Sequence, residues 1–316
     1  MEIDYSEINY LKNPTWKELH ADYEQCLLSM TGPTVIDIDG INKQRCRVFV
    51  TLLQGNEPSG FIAIHRWLST RDIKEHPQTN LRFIICSVET ASKRPLFSRR
   101  VITGNKDLNR CFDTPTQYSI TQRGCYQRAK LIEQAIREVT PEAVIDLHNT
   151  NDPSPTFSVS YKVTAEALSL TSFFCNTLIL SDLSLGTLME QDFACPFITV
   201  ECGGRLDEQA HEIAFSGITH IAHCKNIDYT HQEKNVEVVY RPLRLCTKDA
   251  VKLSYADHDE GYSGVTLKSN LTYVNFGGAQ QNELLGWLDE IKPSDFVLTS
   301  PEKVDKLLND SRGQLI

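Results

Sequence analysis

Four short stretches of the chain carry side chains whose chemistry could be combined. They are 54–57, with Glu57; 106–112, with Asn109 and Arg110; 146–148, with His148; and Glu201. A carboxylate such as Glu57 and an imidazole such as His148 are good zinc ligands. A catalytic zinc takes three protein ligands and leaves a fourth position for water. A carboxylate outside the ligand set, such as Glu201, can take the proton of that water. A guanidinium such as Arg110 can neutralise charge growing on a carbonyl oxygen, or hold a substrate carboxylate. That set is the equipment of metal-assisted amide or ester hydrolysis. Each residue also has a plainer reading. Glu57 opens a helix, where an acid suits the helix dipole anyway. His148, with Asp146 and Asn149 nearby, could be a hydrogen-bonded structural histidine. Glu201 could pair with any lysine, and Arg110 could be a surface charge. Singly each residue is compatible with its plainer reading; the weight lies in the combination.

The elements that must bring these residues together can be read from periodicity. The run 46–53 predicts a strand that ends in the loop 54–60. Phe61, Ile64, Trp67 and Leu68 then recur at helical spacing. The run 82–88 predicts a buried strand, followed by a polar, basic loop over about 93–113. Ala129, Ile132, Ile136 and Val139 predict a helix that Pro141 stops. The runs 143–148, 177–180 and 197–201 predict further buried strands, and 206–223 a helix. Unbroken apolar strands alternating with helices predict an α/β fold with a mostly parallel sheet covered on both faces. In such sheets ligands gather outside the carboxyl ends of the strands, which is where the candidate residues fall. From about residue 236 short alternating stretches replace the long helices, and a final helix is predicted near 301–309. The expected division is a catalytic domain, 1–232, and a smaller β-rich domain, 233–316.

Composition narrows the function. The 316 residues carry a net charge of −9. An acidic surface disfavours nucleic acid and anionic membrane as partners. No apolar run approaches the ~20 residues of a membrane span. The ten cysteines are scattered without a C-x-x-C pair, and the N-terminus does not resemble a signal peptide. Reduced thiols and a cytoplasmic location are therefore expected. No cysteine has an activating partner visible in sequence, and Cys202 reads as a neighbour of Glu201. His211, His220, His223 and His231 read as a helix-surface strip and its surroundings rather than as a second metal site. Gly261-Tyr262-Ser263-Gly264 is not a nucleophile elbow.

Four motifs carry a resemblance. Gln-Gly-Asn-Glu-Pro-Ser-Gly (54–60), Asp-Leu-Asn-Arg-Cys-Phe (107–112), Asp-Leu-His-Asn-Thr (146–150) and Ile-Thr-Val-Glu-Cys-Gly (198–203) resemble the ordered motifs of the succinylglutamate desuccinylase/aspartoacylase family. The resemblance implies a zinc-carboxypeptidase-like α/β/α sandwich with a mixed, mostly parallel sheet, followed by a smaller C-terminal β-rich domain. It implies one Zn2+ per chain, with Glu57 and His148 as the second and third ligands and position 54 as the first. It makes Glu201 the general base, Arg110 a catalytic partner, and Asn109 and Arg100 substrate-binding residues. Arg205, four residues after Glu201, is a further candidate for a substrate carboxylate. The implied substrate is an N-acyl amino acid or related small amide, and a homo-oligomer is compatible with the resemblance. One position departs from the pattern. The family motif begins His-Gly-x-Glu, and this chain has Gln54. An amide oxygen is a neutral, uncommon zinc ligand, so metal affinity should fall. The alternative implied by that change is a non-catalytic or weakly metal-binding relative that binds a small molecule or regulates.

Overall fold

In the computed structural model the described residues are 4–72, 74–113, 123–181, 184–227, 235–240, 245–247, 250–271, 283–298 and 314–315. The helix expected near 301–309 lies outside them. The first part of the chain runs β1 (Asn9–Lys12), α1 (Trp16–Leu19), α2 (Tyr23–Ser29), β2 (Thr34–Ile38), β3 (Asn42–Thr51), α3 (Ser59–Thr70), β4 (Thr79–Ile85) and α4 (Val88–Ala91). A 3-10 turn (Leu108–Arg110) follows, then α5 (Arg123–Arg137), β5 (Ala143–Thr150), β6 (Phe157–Ser160), α6 (Ala165–Ser172), β7 (Thr177–Leu180), β8 (Phe197–Gly204), α7 (Glu208–His223) and β9 (Glu237–Tyr240).

Nine strands form one sheet in the order β1-β2-β4-β3-β5-β8-β6-β7-β9. The central strands β4, β3, β5 and β8 are mutually parallel, so their carboxyl ends share one edge. The sheet is mixed because β2 runs antiparallel to β4, and β6 antiparallel to β8. From β3 the chain passes to β4 on one side and then returns to β5 on the other. That reversal opens a crevice at the ends of β3 and β5, the usual place for a ligand in an open α/β sheet.

Strand alternation sends successive side chains to opposite faces. Phe49, Ile145, Leu147, Ile198 and Val200 pack with Phe61, Ile64 and Trp67 of α3 and Ile218 of α7. Val48, Val50 and Val144 pack with Ile132 and Ile136 of α5 on the other face. The central strands read as continuous apolar runs because both faces are covered. The helices show only an apolar stripe, as in Ala210, Ala214, Ile218 and Ile221 of α7, all buried. Asp22 caps α2 by accepting from the Glu24 and Gln25 amides, and Asp207 caps α7 by accepting from Gln209.

The chain divides into two compact units: Met1–Asn151 with Pro155–Tyr240, and Asp152–Ser154 with Arg241–Ile316. β9 lies in the stretch assigned from sequence to the C-terminal part. Its parallel pairing with β7 carries the first unit to Tyr240. The second unit holds a four-stranded sheet, Leu253–Ala256, Gly264–Lys268, Gly286–Asp289 and Gln314–Leu315, and a two-stranded pairing of Leu245–Thr247 with Phe296–Leu298.

Candidate functional site

The site is assembled by strand parity and by the two turns that follow β3 and precede α5. Asp146 and His148 share a face of β5 because they are two residues apart. Glu201 stands opposite His148 in the β5–β8 register, and Thr199 opposite Asp146. The loop after β3 brings in Gln54 and Glu57, and the 3-10 turn brings in Asn109 and Arg110. All of these except Asp146 line one cavity of about 260 Å³, together with Arg100, Asn149, Thr150 and Asn151. Arg205 is not among the lining residues; its backbone amide donates to the Thr150 carbonyl.

His148 is held from both sides. Its Nδ1 lies 2.7 Å from Glu57 Oε2 and its Nε2 lies 2.8 Å from Asp146 Oδ2. Burial disfavours the imidazolium, but the two carboxylates outweigh burial and raise the His148 pKa well above the ordinary value. Arg100 donates to the other oxygen of Glu57, 3.0 Å away, and to Asp107 Oδ2 at 2.9 Å. Asp107 accepts from the Asn109 amide at the start of the 3-10 turn and from Gln54 Nε2 at 3.0 Å. Because a carboxylate only accepts, the Gln54 amide nitrogen must face Asp107. Among the described residues, Gln54 Oε1 is buried with no hydrogen-bond partner, and so is Glu201 Oε2. Burial pushes the Glu201 carboxyl up to about 7, with Glu57 and Asp146 reinforcing the rise and His148 opposing it.

A further set of bonds fixes this arrangement. The Asn149 side chain accepts from the Ser59 amide and donates to Ser59 Oγ and to the Gly203 carbonyl. Its own backbone amide points to Glu57 Oε2 at 3.3 Å. Asn149 therefore ties the first residue of α3 to the ends of β5 and β8. Asn109 Oδ1 accepts from the Leu188 amide at 3.0 Å. Arg110 lines the cavity, and one of its guanidinium nitrogens donates to the Asn109 carbonyl at 2.6 Å.

Asp107, Thr150, Asn151 and Thr199 belong to the site without being candidates in the sequence. Asp146 and Asn149 are legible there only as possible partners of His148. The two-residue spacing of Asp146 from His148 on a strand was the available signal. The others act through hydrogen bonds to distant chain segments, which spacing does not reveal.

Metal donors can be judged by chemistry and geometry. Among the described residues no group of three or more His, Cys, Asp or Glu is disposed to hold a metal ion. The donors at hand are Glu57 Oε2, His148 Nδ1 and, as the third, the unpartnered amide oxygen of Gln54. Asp146 behind His148 Nε2 is the partner that metal-binding histidines commonly have. The Glu57–His148 distance is that of a hydrogen bond. Two ligands of one tetrahedral zinc would stand about 3.3 Å apart, given bonds of ~2 Å. The donor types suit a divalent ion, but Glu57 and His148 stand closer together than two ligands of one ion would. An ion entering here would replace the proton between Glu57 and His148.

The comparisons with known proteins agree with this fold. Residues 52–219 match the family described as the succinylglutamate desuccinylase/aspartoacylase catalytic domain. A succinylglutamate desuccinylase/aspartoacylase from Rhodobacter sphaeroides is similar in structure, with TM-score 0.54 and 16% identity over 81% of this chain and 76% of that one. A succinylglutamate desuccinylase from Vibrio cholerae gives TM-score 0.52 and 15% identity over 85% of each chain. One from a Silicibacter species gives TM-score 0.47 and 16% identity over 75% of this chain and 64% of that one, so the match spans less than two thirds of the Silicibacter protein. No curated protein matches the chain in sequence. The match spans more than half of the 316 residues and contains Gln54, Glu57, Asn109, Arg110, His148 and Glu201, and on it the chain belongs to the succinylglutamate desuccinylase/aspartoacylase family.

Proposed function

We propose that this chain is a metal-assisted hydrolase of N-acyl amino acids or related small amides. The observation that carries the reading is the meeting of Glu57, His148, Glu201, Asn109, Arg100 and Arg110 in one cavity. Glu57, His148 and Gln54 would hold a divalent ion such as zinc. When bound, such an ion lowers the pKa of a water and polarises the acyl carbonyl. Glu201, with its carboxyl near neutrality, takes the proton of the attacking water and delivers it to the leaving nitrogen. Arg110 faces the cavity and neutralises negative charge growing on the carbonyl oxygen. Arg100 is engaged with Glu57 and Asp107, so it orients the Glu57 carboxylate and contributes positive potential for an anionic substrate. Asn109, with its oxygen occupied by Leu188, has its amide nitrogen to offer to substrate. The products are a carboxylic acid and an amine such as an amino acid.

A second reading rests on Gln54 and the direct Glu57–His148 bond. In it the site stays protonated and metal-free, and the chain binds a small acylated carboxylate without cleaving it.

One set of measurements separates the two. The full chain is loaded with zinc, desalted and analysed for metal, and a panel of N-acyl amino acids is assayed for amine release. The hydrolase reading expects retained metal and turnover that Glu201→Gln lowers by about 10²-fold or more. Absence of both metal and turnover in the wild-type chain favours the binding reading. Gln54→His then supplies an imidazole donor and is expected to raise zinc affinity by at least about tenfold, read by competition with a chelating dye.

A further inference from the structure

The proposed hydrolysis uses no cysteine, yet two thiols lie beside the turn that carries Asn109 and Arg110. Cys111 directly follows that turn, and Cys125 sits in the first turn of α5, which packs against it. The two thiols are close enough for each to act on the ionisation of the other. Both thiols also contact the same stretch of backbone. Cys111 Sγ is 3.3 Å from the Asp107 carbonyl oxygen and Cys125 Sγ is 3.4 Å from that of Lys106, the adjacent residue. Both side chains are buried, at 2% and 5% exposure. Cys125 also forms part of the wall of a cavity of about 30 Å³, with Tyr5, Arg100, Ile102 and Asn105. That volume admits a water or a hydrogen peroxide molecule, but no bulky thiol reagent.

We propose that Cys111 and Cys125 are a reversible redox pair, oxidised by hydrogen peroxide to a disulfide that fastens the Asn109–Arg110 turn to α5. The Cys125 thiolate attacks one oxygen of the peroxide. An S–O bond forms, the O–O bond breaks, and the departing hydroxide takes up the thiol proton to leave as water. The Cys111 sulfur then attacks the Cys125 sulfenic acid. The S–S bond forms, the S–O bond breaks, and the Cys111 proton leaves with the hydroxyl as a second water. Two thiols lose two electrons and one peroxide is reduced to two waters. The assignment of attacker and resolver follows from geometry: Cys125 lines the cavity that admits peroxide, and Cys111 is not among its lining residues. The neighbouring Cys111 thiol, a backbone hydrogen bond at Lys106 and the Arg128 charge hold the Cys125 thiol below its ordinary range, against burial and the Asp107 charge. Burial alone pushes Cys26 up to about 11, and it pushes Cys46 up to about 12 despite the Arg82 charge, so these thiols stay inert.

The test uses the full chain, reduced, freed of reductant and treated with hydrogen peroxide. Peptide mapping without reduction is expected to recover a Cys111–Cys125 cross-link that dithiothreitol reverses. In Cys111→Ser, quenched after peroxide and unfolded in urea with dimedone present, a trapped sulfenic acid is expected at Cys125, formed at least about tenfold faster than at Cys26. In Cys125→Ser, Cys111 is expected to stay unlabelled. Hydrogen exchange of the peptide spanning 106–112 is expected to slow several-fold in the oxidised wild type and to recover on reduction. Oxidation spread over other cysteines without the cross-link would overturn the pair. A cross-link that leaves exchange over 106–112 unchanged would overturn its hold on the turn.

Discussion

The Glu201 carboxyl lines the cavity on one side, buries Oε2 without a hydrogen-bond partner on the other, and has its pKa lifted by burial to about 7 from 4.5. Such a group costs stability when ionised. Its folded pKa exceeds its unfolded pKa, so the folded state binds more protons between the two values. The contribution is most favourable below about 4.5 and is lost as pH rises through about 7. Glu201→Gln removes that penalty. The variant is expected to match the wild type near pH 4.5 and to exceed it at pH 8 by at most about 3 kcal/mol. Urea denaturation at the two pH values measures the difference, and an unchanged difference would mean that Glu201 ionises freely in the folded chain. Under the proposed hydrolysis the variant would lose activity while gaining stability, the usual trade at an active site. Glu201, Glu57 and His148 were legible as candidates because each stands at the end of a predicted strand or in the loop after one. The roles of Asp107 and Asn149 were not, because each joins side chains from segments far apart in sequence.

At the scale of elements, the start of α3 does much of the positioning. Its first residue, Ser59, donates its amide to Asn149, which satisfies one of the amides a helix leaves unpaired at its N-terminus. The next residue, Gly60, lets the helix approach β3 and β5 closely. A Cβ at Gly60 would collide with Thr51 Oγ1 and would lie 2.8 Å from Leu147 Cβ. Gly60→Ala should therefore shift α3, and the loop that carries Glu57, away from β3 and β5, even though alanine suits a helix better. A loss of about 1–3 kcal/mol in thermal or urea unfolding is expected. A gain of about 1 kcal/mol, the helix-propensity value, would mean that the strands yield without cost. Sequence periodicity predicted this helix and its buried face. It could not show which residue meets the sheet, since that depends on the distance between two elements packed in space.

At the scale of the whole chain, the outer strand β9 decides where the first unit ends. Its pairing runs from Thr177–Glu237 to Leu180–Tyr240. A chain ending at residue 232 lacks β9 and leaves the β7 edge with unpaired amides and carbonyls, a template for aggregation. A chain ending at residue 240 keeps that edge covered. The shorter form is expected to aggregate at lower concentration and to unfold at lower temperature, as light scattering and calorimetry would report. Equal behaviour would mean that β9 contributes little to the sheet. Among the described residues no helix is long and apolar enough to cross a membrane.

Strand and helix periods, the order of the four motifs and the exchange at Gln54 are local properties, so they stand in the sequence itself. They were enough for an α/β fold, a family and a list of candidate residues. Which strands are neighbours depends on the path of the connections, and only the tertiary structure placed β9 beside β7 and β6 antiparallel to β8. Only it showed His148 bonded on both nitrogens, the Gln54 amide turned toward Asp107, and Cys111 beside Cys125. These are contacts of a few ångströms between side chains whose directions are set by packing, and neither residue type nor spacing determines those directions.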